Sequence, residues 1–130
     1  MIQESYVSRD TARMLKETGF DEACRSAYYA TGNSAVMHER NSMLSPGYIS
    51  RPTQALAARW LREVHRIVVD VTFIPPSVDG DVWQYFIGGM DDIVWEGDFK
   101  PSEHRYATYE EAMEAGLQNA IKLIEKKEAV

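Results

Sequence analysis

The sequence predicts an α+β fold: three helices packed on a mostly antiparallel sheet of about four short strands, in the order α-β-β-α-β-β-α. Three observations carry this. Residues 51–73, RPTQALAARWLREVHRIVVDVTF, change from a 3.6-residue to a two-residue apolar repeat with almost no connection between them. Residues 108–111, TYEE, have the spacing of a capping box and open a second amphipathic segment. Between and before these lie short alternating runs bounded by turn residues, as strands require. At 130 residues the chain is read as one domain, residues 1–130, large enough to bury a core without metal or disulfide staples.

The first helix is predicted from about Ser8 to Thr18. Ser8 is its cap, Asp10 suits the positive N-terminal end, and Gly19 stops it, with Phe20 folding back onto the last turn. Val7, Thr11, Met14, Leu15 and Thr18 form its buried side. That stripe is weakly apolar, which places the helix at the periphery. Strands follow near Ala27–Thr31 and Ser34–His38, joined by a two-residue turn at Gly32-Asn33, where glycine accepts the positive φ the turn needs. Asn41–Ser50 has Ser, Pro and Gly and no period, so it reads as a loop.

In the central helix Leu56, Ala57, Trp60, Leu61 and Val64 fall on one arc, with Arg59, Arg62 and Arg66 opposite. Pro52 suits the first turn, and Ser50 and Thr53 are the alternative caps. From Ile67 to Phe73 alternate residues share a strongly apolar face, for which the preceding helix is the nearest cover. The prolines of PPSVDGD (75–81) end that strand, and Val82–Gly88 returns antiparallel to it. Ile93-Val94-Trp95 reads as a short edge strand and WEGDFKPSEHR (95–105) as a surface loop.

The last helix starts at Thr108 and buries Tyr109, Met113, Leu117, Ala120, Ile121 and Ile124. Gly116 falls inside this arc. Mid-helix glycine costs about 1 kcal/mol relative to alanine, so a close neighbour is expected there, Trp60 being the first candidate.

Apolar residues make up 45% and charged residues 26%, as in soluble globular domains. The net charge of −6 argues against general affinity for nucleic acid or anionic membranes. One cysteine, Cys24, excludes an intramolecular disulfide and multi-thiolate zinc sites. No signal-peptide pattern appears, and no apolar run approaches the roughly 20 residues that span a bilayer. A cytoplasmic protein without membrane association is the expectation.

Chemistry is thinly signalled. His38, His65 and His104 form no metal-binding pattern, and His65 reads as a residue of the helix C-terminus. Cys24, beside Glu22 and Asp21, sits where thiolate is disfavoured. Asp79, Asp81, Asp91, Asp92, Glu96, Asp98 and Glu103 lack calcium-loop spacing and read as solvated turn residues. No glycine-rich phosphate loop or nucleophile elbow is present. Hence no catalytic residue, metal ligand or cofactor is assigned. The arginine stripe Arg59, Arg62, Arg66 and the aromatics Trp83, Tyr85 and Trp95 form the candidate interaction surface.

The stretches LKETGFDEAC (15–24), YY (28–29), RPTQALAARWLREVH (51–65) and TYEEAMEAGLQNAIKLI (108–124) resemble a group of small uncharacterised proteins of Bacteroides-type gut bacteria, often found among prophage or mobile-element genes. The resemblance implies an origin and carries over no reaction or catalytic residue. Residues and resemblance together favour a non-enzymatic protein-interaction module, a phage or mobile-element accessory protein acting on a protein partner or as a homodimer. The alternatives are a nucleic-acid-binding or DNA-mimic regulator, using the arginine stripe or the acidic loops, and a small enzyme using Cys24 or a histidine.

Overall fold

The computed structural model describes residues 2–29, 34–44, 47–74, 80–90, 100–102 and 104–128. The order is α-β-β-α-β-β-α, with two further strands of two residues each. The chain divides into two compact units, Met1–Ala57 and Ala58–Val130, with the boundary inside the central helix. The fold is of the α+β class expected, and among the described residues the strands are antiparallel and lie in two sheets of three.

In the first unit α1 spans Arg9–Glu17. Ser8 caps it, its Oγ accepting from the Thr11 N–H at 3.2 Å. At the other end Gly19 takes φ 102°, and the N–H groups of Gly19 and Phe20 return to the carbonyls of Lys16 and Leu15. This turn folds Phe20 back into the interior, where it is buried with Val7, Thr11, Ala12 and Leu15. The helix is therefore a core element and not a peripheral one. Its own stripe is short, but Val7 and Phe20 extend the apolar face beyond both ends; Met14 and Thr18 are only partly buried.

Strand β1 (Cys24–Tyr28) pairs antiparallel with β2 (Ser34–Glu39), Tyr28 opposite Ser34, with an irregularity between Cys24 and Ser26. The turn expected at Gly32-Asn33 lies outside the described residues. Segment 41–50, expected as loop, carries a turn of 3₁₀ helix (Asn41–Met43) and β3 (Ile49–Ser50), which completes the order β2-β1-β3. Buried Asn41 ties these pieces together: its Nδ2 donates to the Phe20 carbonyl and its Oδ1 accepts from the Ser50 N–H, both at 2.8 Å. Two buried backbone groups are thereby satisfied by one side chain. Nearby, Asp21 Oδ1 accepts from the Ser42 N–H at 2.7 Å, which lowers the carboxyl pKa below its ordinary 3.8.

Helix α2 spans Gln54–Val64 and starts at Thr53, whose Oγ1 accepts from the Leu56 N–H at 3.1 Å. Pro52 lies just outside the helix, buried, with its carbonyl accepting from the Val7 N–H. Ala57, Trp60 and Leu61 are buried as their spacing predicts, but Leu56 is only partly buried and Val64, the last residue of the helix, is 55% exposed.

In the second unit the switch of period falls where expected. Arg66 takes φ 59°, a left-handed conformation that turns the chain from α2 into β4 (Ile67–Phe73). Strand β5 (Trp83–Gly89) pairs along the whole of β4, from Ile67 opposite Gly89 to Phe73 opposite Trp83. Strand β6 (Lys100–Pro101) adds to β5 within the segment expected as loop, giving the order β4-β5-β6. The edge strand expected at Ile93-Val94-Trp95 lies outside the described residues.

Helix α3 (Tyr109–Glu128) opens as its capping box predicts, with Thr108 Oγ1 accepting from the Glu111 N–H at 3.1 Å. Ala112, Met113, Leu117, Ala120, Ile121 and Ile124 are buried, whereas Tyr109 is 41% exposed in the first turn. Helix α3 packs on β4 and β5 and covers their apolar face. A methyl built on Gly116 would lie 2.8 Å from Val69 Cγ1 and 3.1 Å from Tyr85 Cβ. The close neighbour expected at Gly116 is thus a strand pair, Val69 and Tyr85, in place of Trp60. No helix among the described residues is long and apolar enough to cross a membrane.

Candidate functional site

Five of the described aromatic side chains of the second unit gather on its sheet for reasons of register. Phe73 and Trp83 are cross-strand partners, so their rings share a face and meet edge-on at 5.5 Å. Tyr109, the first residue of α3, adds a third ring at 5.5 Å from Trp83, again edge-on. Tyr106 is brought in by backbone pairing, its N–H donating to the Trp83 carbonyl at 2.7 Å and its carbonyl accepting from Trp83 at 3.0 Å. The Tyr106 ring lies 6.1 Å from Tyr85, and burial pushes its phenol pKa up.

Exposure varies along this row. Phe73 is 56% and Tyr109 41% exposed, while Trp83, Tyr85 and Tyr106 are half-buried. Tyr85 sits under α3, with its hydroxyl accepting from Asn119 Nδ2 at 2.9 Å. Of the residues named from sequence, Trp83 and Tyr85 therefore share the helix-covered face, and Trp95 lies outside the described residues. Phe73, Tyr106 and Tyr109 join them. The alternation of β4 and β5 was the signal available for Phe73; nothing local marks Tyr106.

Arg59, Arg62 and Arg66 are all exposed, the first two on α2 and Arg66 in the turn after it. Arg59 Nε donates to Glu63 Oε1 at 3.1 Å on the same helix face. An exposed pair of this spacing is worth about 0.3–0.5 kcal/mol. Its main consequence is electrostatic, since it cancels a third of the stripe's positive charge.

The first unit holds a second cluster that no sequence period announces. The Arg51 guanidinium lies 4.0 Å above the Tyr6 ring and 5.3 Å from the Tyr28 ring, and Arg9 lies 5.1 Å from the same Tyr28 ring. Four segments supply the four residues. Tyr6 is placed by its bridge to Thr53, and Tyr28 by β1 and a hydroxyl that donates to the Val7 carbonyl. Arg51 Nη1 donates to Ser26 Oγ at 3.3 Å.

Cys24 is 4% exposed, and its thiol donates weakly to the Glu22 carbonyl. Burial chiefly, and the Glu22 charge in addition, push its pKa up to about 11, against a partial opposing contact from Ser50. The thiol stays protonated at neutral pH, which is the wrong form for a nucleophile. His65 closes α2 and meets the Trp60 ring edge-on at 4.7 Å. Among the described residues no three His, Cys, Asp or Glu side chains converge as a metal-ligand set.

No family model, curated protein or solved structure matches this chain. The geometry alone bears on function.

Proposed function

We propose that the protein is a non-enzymatic interaction module that pairs with a second copy of itself through the aromatic end of its second unit. The observation that carries this reading is the row Phe73–Trp83–Tyr109, edge-on at 5.5 Å spacing with its two outer rings exposed. Rings in this arrangement present both edges and faces, so the patch is complementary to its own copy across a two-fold axis. Burial of exposed Phe and Tyr rings is also what drives interface cores. Two chains of charge −6 repel, so apolar contact has to hold them, and added salt strengthens the pairing by screening. The cytoplasm and a phage or mobile-element setting remain the context proposed for this module.

A nucleic-acid role for α2 draws less support, because Glu63 already neutralises Arg59. An enzymatic role for Cys24 meets a thiol held protonated. Sedimentation velocity over a concentration and salt series tests the reading. Self-association that grows with salt and disappears in Phe73→Asp and Tyr109→Asp supports it. A wild type that stays monomeric throughout, or variants that associate unchanged, would refute it.

A further inference from the structure

Strand β4 is bonded along only one of its two edges. The sheet order β4-β5-β6 leaves it outermost, with β5 on its inner side. Hydrogen-bonded and non-bonded pairs alternate along an antiparallel ladder, and the flanking bonds fix the phase here. The Ile74 N–H donates to the Val82 carbonyl at 2.6 Å and the Met90 N–H to the Arg66 carbonyl at 2.8 Å, so Val68, Asp70 and Thr72 bond to β5. Ile67, Val69, Val71 and Phe73 turn their N–H and C=O groups the other way. The phase on β5 agrees: Trp83, opposite Phe73, directs both its N–H and its carbonyl to Tyr106. No hydrogen bond among the described residues reaches the outward groups of Val71 or Phe73.

This edge is open over one short stretch. Ile67 and Val69 are buried, Val71 is half-buried, and Asp70, Thr72 and Phe73 are exposed. Backbone donors and acceptors left unpaired on an accessible edge are a template for another strand. Phe73 joins this edge to the row of rings, since its side chain shares the helix-covered face with Trp83.

We propose that two copies of the chain pair edge to edge through β4, antiparallel about a two-fold axis at Thr72, so that their β4-β5-β6 sheets run on as one. The proposal rests on the self-association of the second unit and states how the copies meet. Symmetry selects a second copy as the occupant and Thr72 as the centre. A half-turn there sets Val71 opposite Phe73 of the second copy, and Phe73 opposite Val71 of that copy, so every outward group of the open stretch finds a partner. Phe73 then packs beside Val71 of the second copy on the same face, which covers its exposed side. Other centres fit less well. An axis at Asp70 brings two carboxylates face to face, which destabilises a strand pair. An axis at Val71 requires Phe73 to reach Val69, which is only 8% exposed.

Disulfide trapping of the full chain tests the pairing and its register. Residues at the axis form a non-bonded pair with Cα atoms about 4.5 Å apart, a separation that a disulfide spans. Under mild oxidation Thr72→Cys should therefore link to its own copy at least about tenfold faster than Asp70→Cys, whose two thiols would lie about 13 Å apart. The wild type, with Cys24 buried, is the blank. Amide exchange of the unsubstituted chain gives a second measurement. Where about nine-tenths of the chains are paired, Val71 and Phe73 should exchange about tenfold more slowly than in dilute solution. Thr72, bonded to Gln84 in both states, should change little. Trapping at Thr72 with slowed exchange at Val71 and Phe73 sustains the pairing. Self-association in sedimentation with no preference for Thr72 over Asp70, or with unchanged exchange, overturns the edge pairing and leaves association through the aromatic rings in place. A wild type that stays monomeric overturns both.

Discussion

The two units of this chain are built from similar parts and held together differently. Among the described residues each has a three-stranded antiparallel sheet, with one strand of only two residues. In the second unit a 20-residue helix lays an apolar arc along a seven-residue hairpin. In the first, the strands are shorter and the joints are polar: Asn41 between Phe20 and Ser50, Tyr28 on Val7, Arg51 on Ser26, Asp21 on Ser42. A long amphipathic helix supplies enough buried area to hold a sheet by itself. A nine-residue helix does not, and directional bonds to otherwise unsatisfied backbone groups fill the gap.

Volume-conserving swaps separate the two modes most strongly. Asn41→Leu keeps much of the bulk but strands the Phe20 carbonyl and the Ser50 N–H, costing about 3 kcal/mol at about 1–3 for each unsatisfied group. Leu117→Met, at a fully buried position of α3, should cost under about 1.5 kcal/mol. Urea denaturation of both variants checks the pair; equal losses would erase the distinction. Truncation is expected to narrow the gap, with Leu117→Ala costing about 2–5 kcal/mol through the cavity it leaves.

Arg66 offers a smaller effect. Its φ of 59° is one a side chain adopts at a cost. Arg66→Gly should therefore stabilise the protein by about 1 kcal/mol, read as a higher denaturation midpoint. The smallest expected effect is titration of Asp21. Its folded pKa lies below the ordinary 3.8. Its contribution is complete above that value and is lost as pH falls through it toward the folded pKa. As pH falls below about 4 the wild type should lose more stability than Asp21→Asn does. Parallel curves would remove the Ser42 bond from the account.

The same contrast explains what the sequence made legible. Features with a local signature were readable: the Ser8 and Thr108 caps, the Gly19–Phe20 turn, the change of period at Arg66, and the pairing of Ile67–Phe73 with the strand after it. Features made by distant residues were not. Two residues have no period, so β3 and β6 read as loop. Asn41 looks like any loop asparagine until Phe20 and Ser50 are placed on either side of it. The stack of Tyr6, Arg9, Tyr28 and Arg51 draws on four segments that share no spacing. Even Gly116, whose crowding is legible from its place in an apolar arc, does not name its neighbour: Trp60 is the large ring one expects, and Val69 with Tyr85 are what the sheet delivers.

Gly116 also provides the most direct test of how the second unit is held. Helix propensity alone predicts that Gly116→Ala stabilises the protein by about 1 kcal/mol. Crowding predicts the reverse, because a methyl there would lie 2.8 Å from Val69 Cγ1 and 3.1 Å from Tyr85 Cβ, neither of them the free end of a flexible side chain. Overpacking of this kind costs about 1–3 kcal/mol. The melting temperature of Gly116→Ala should fall below that of the wild type; a rise would show that α3 does not rest on β4 and β5 at this point.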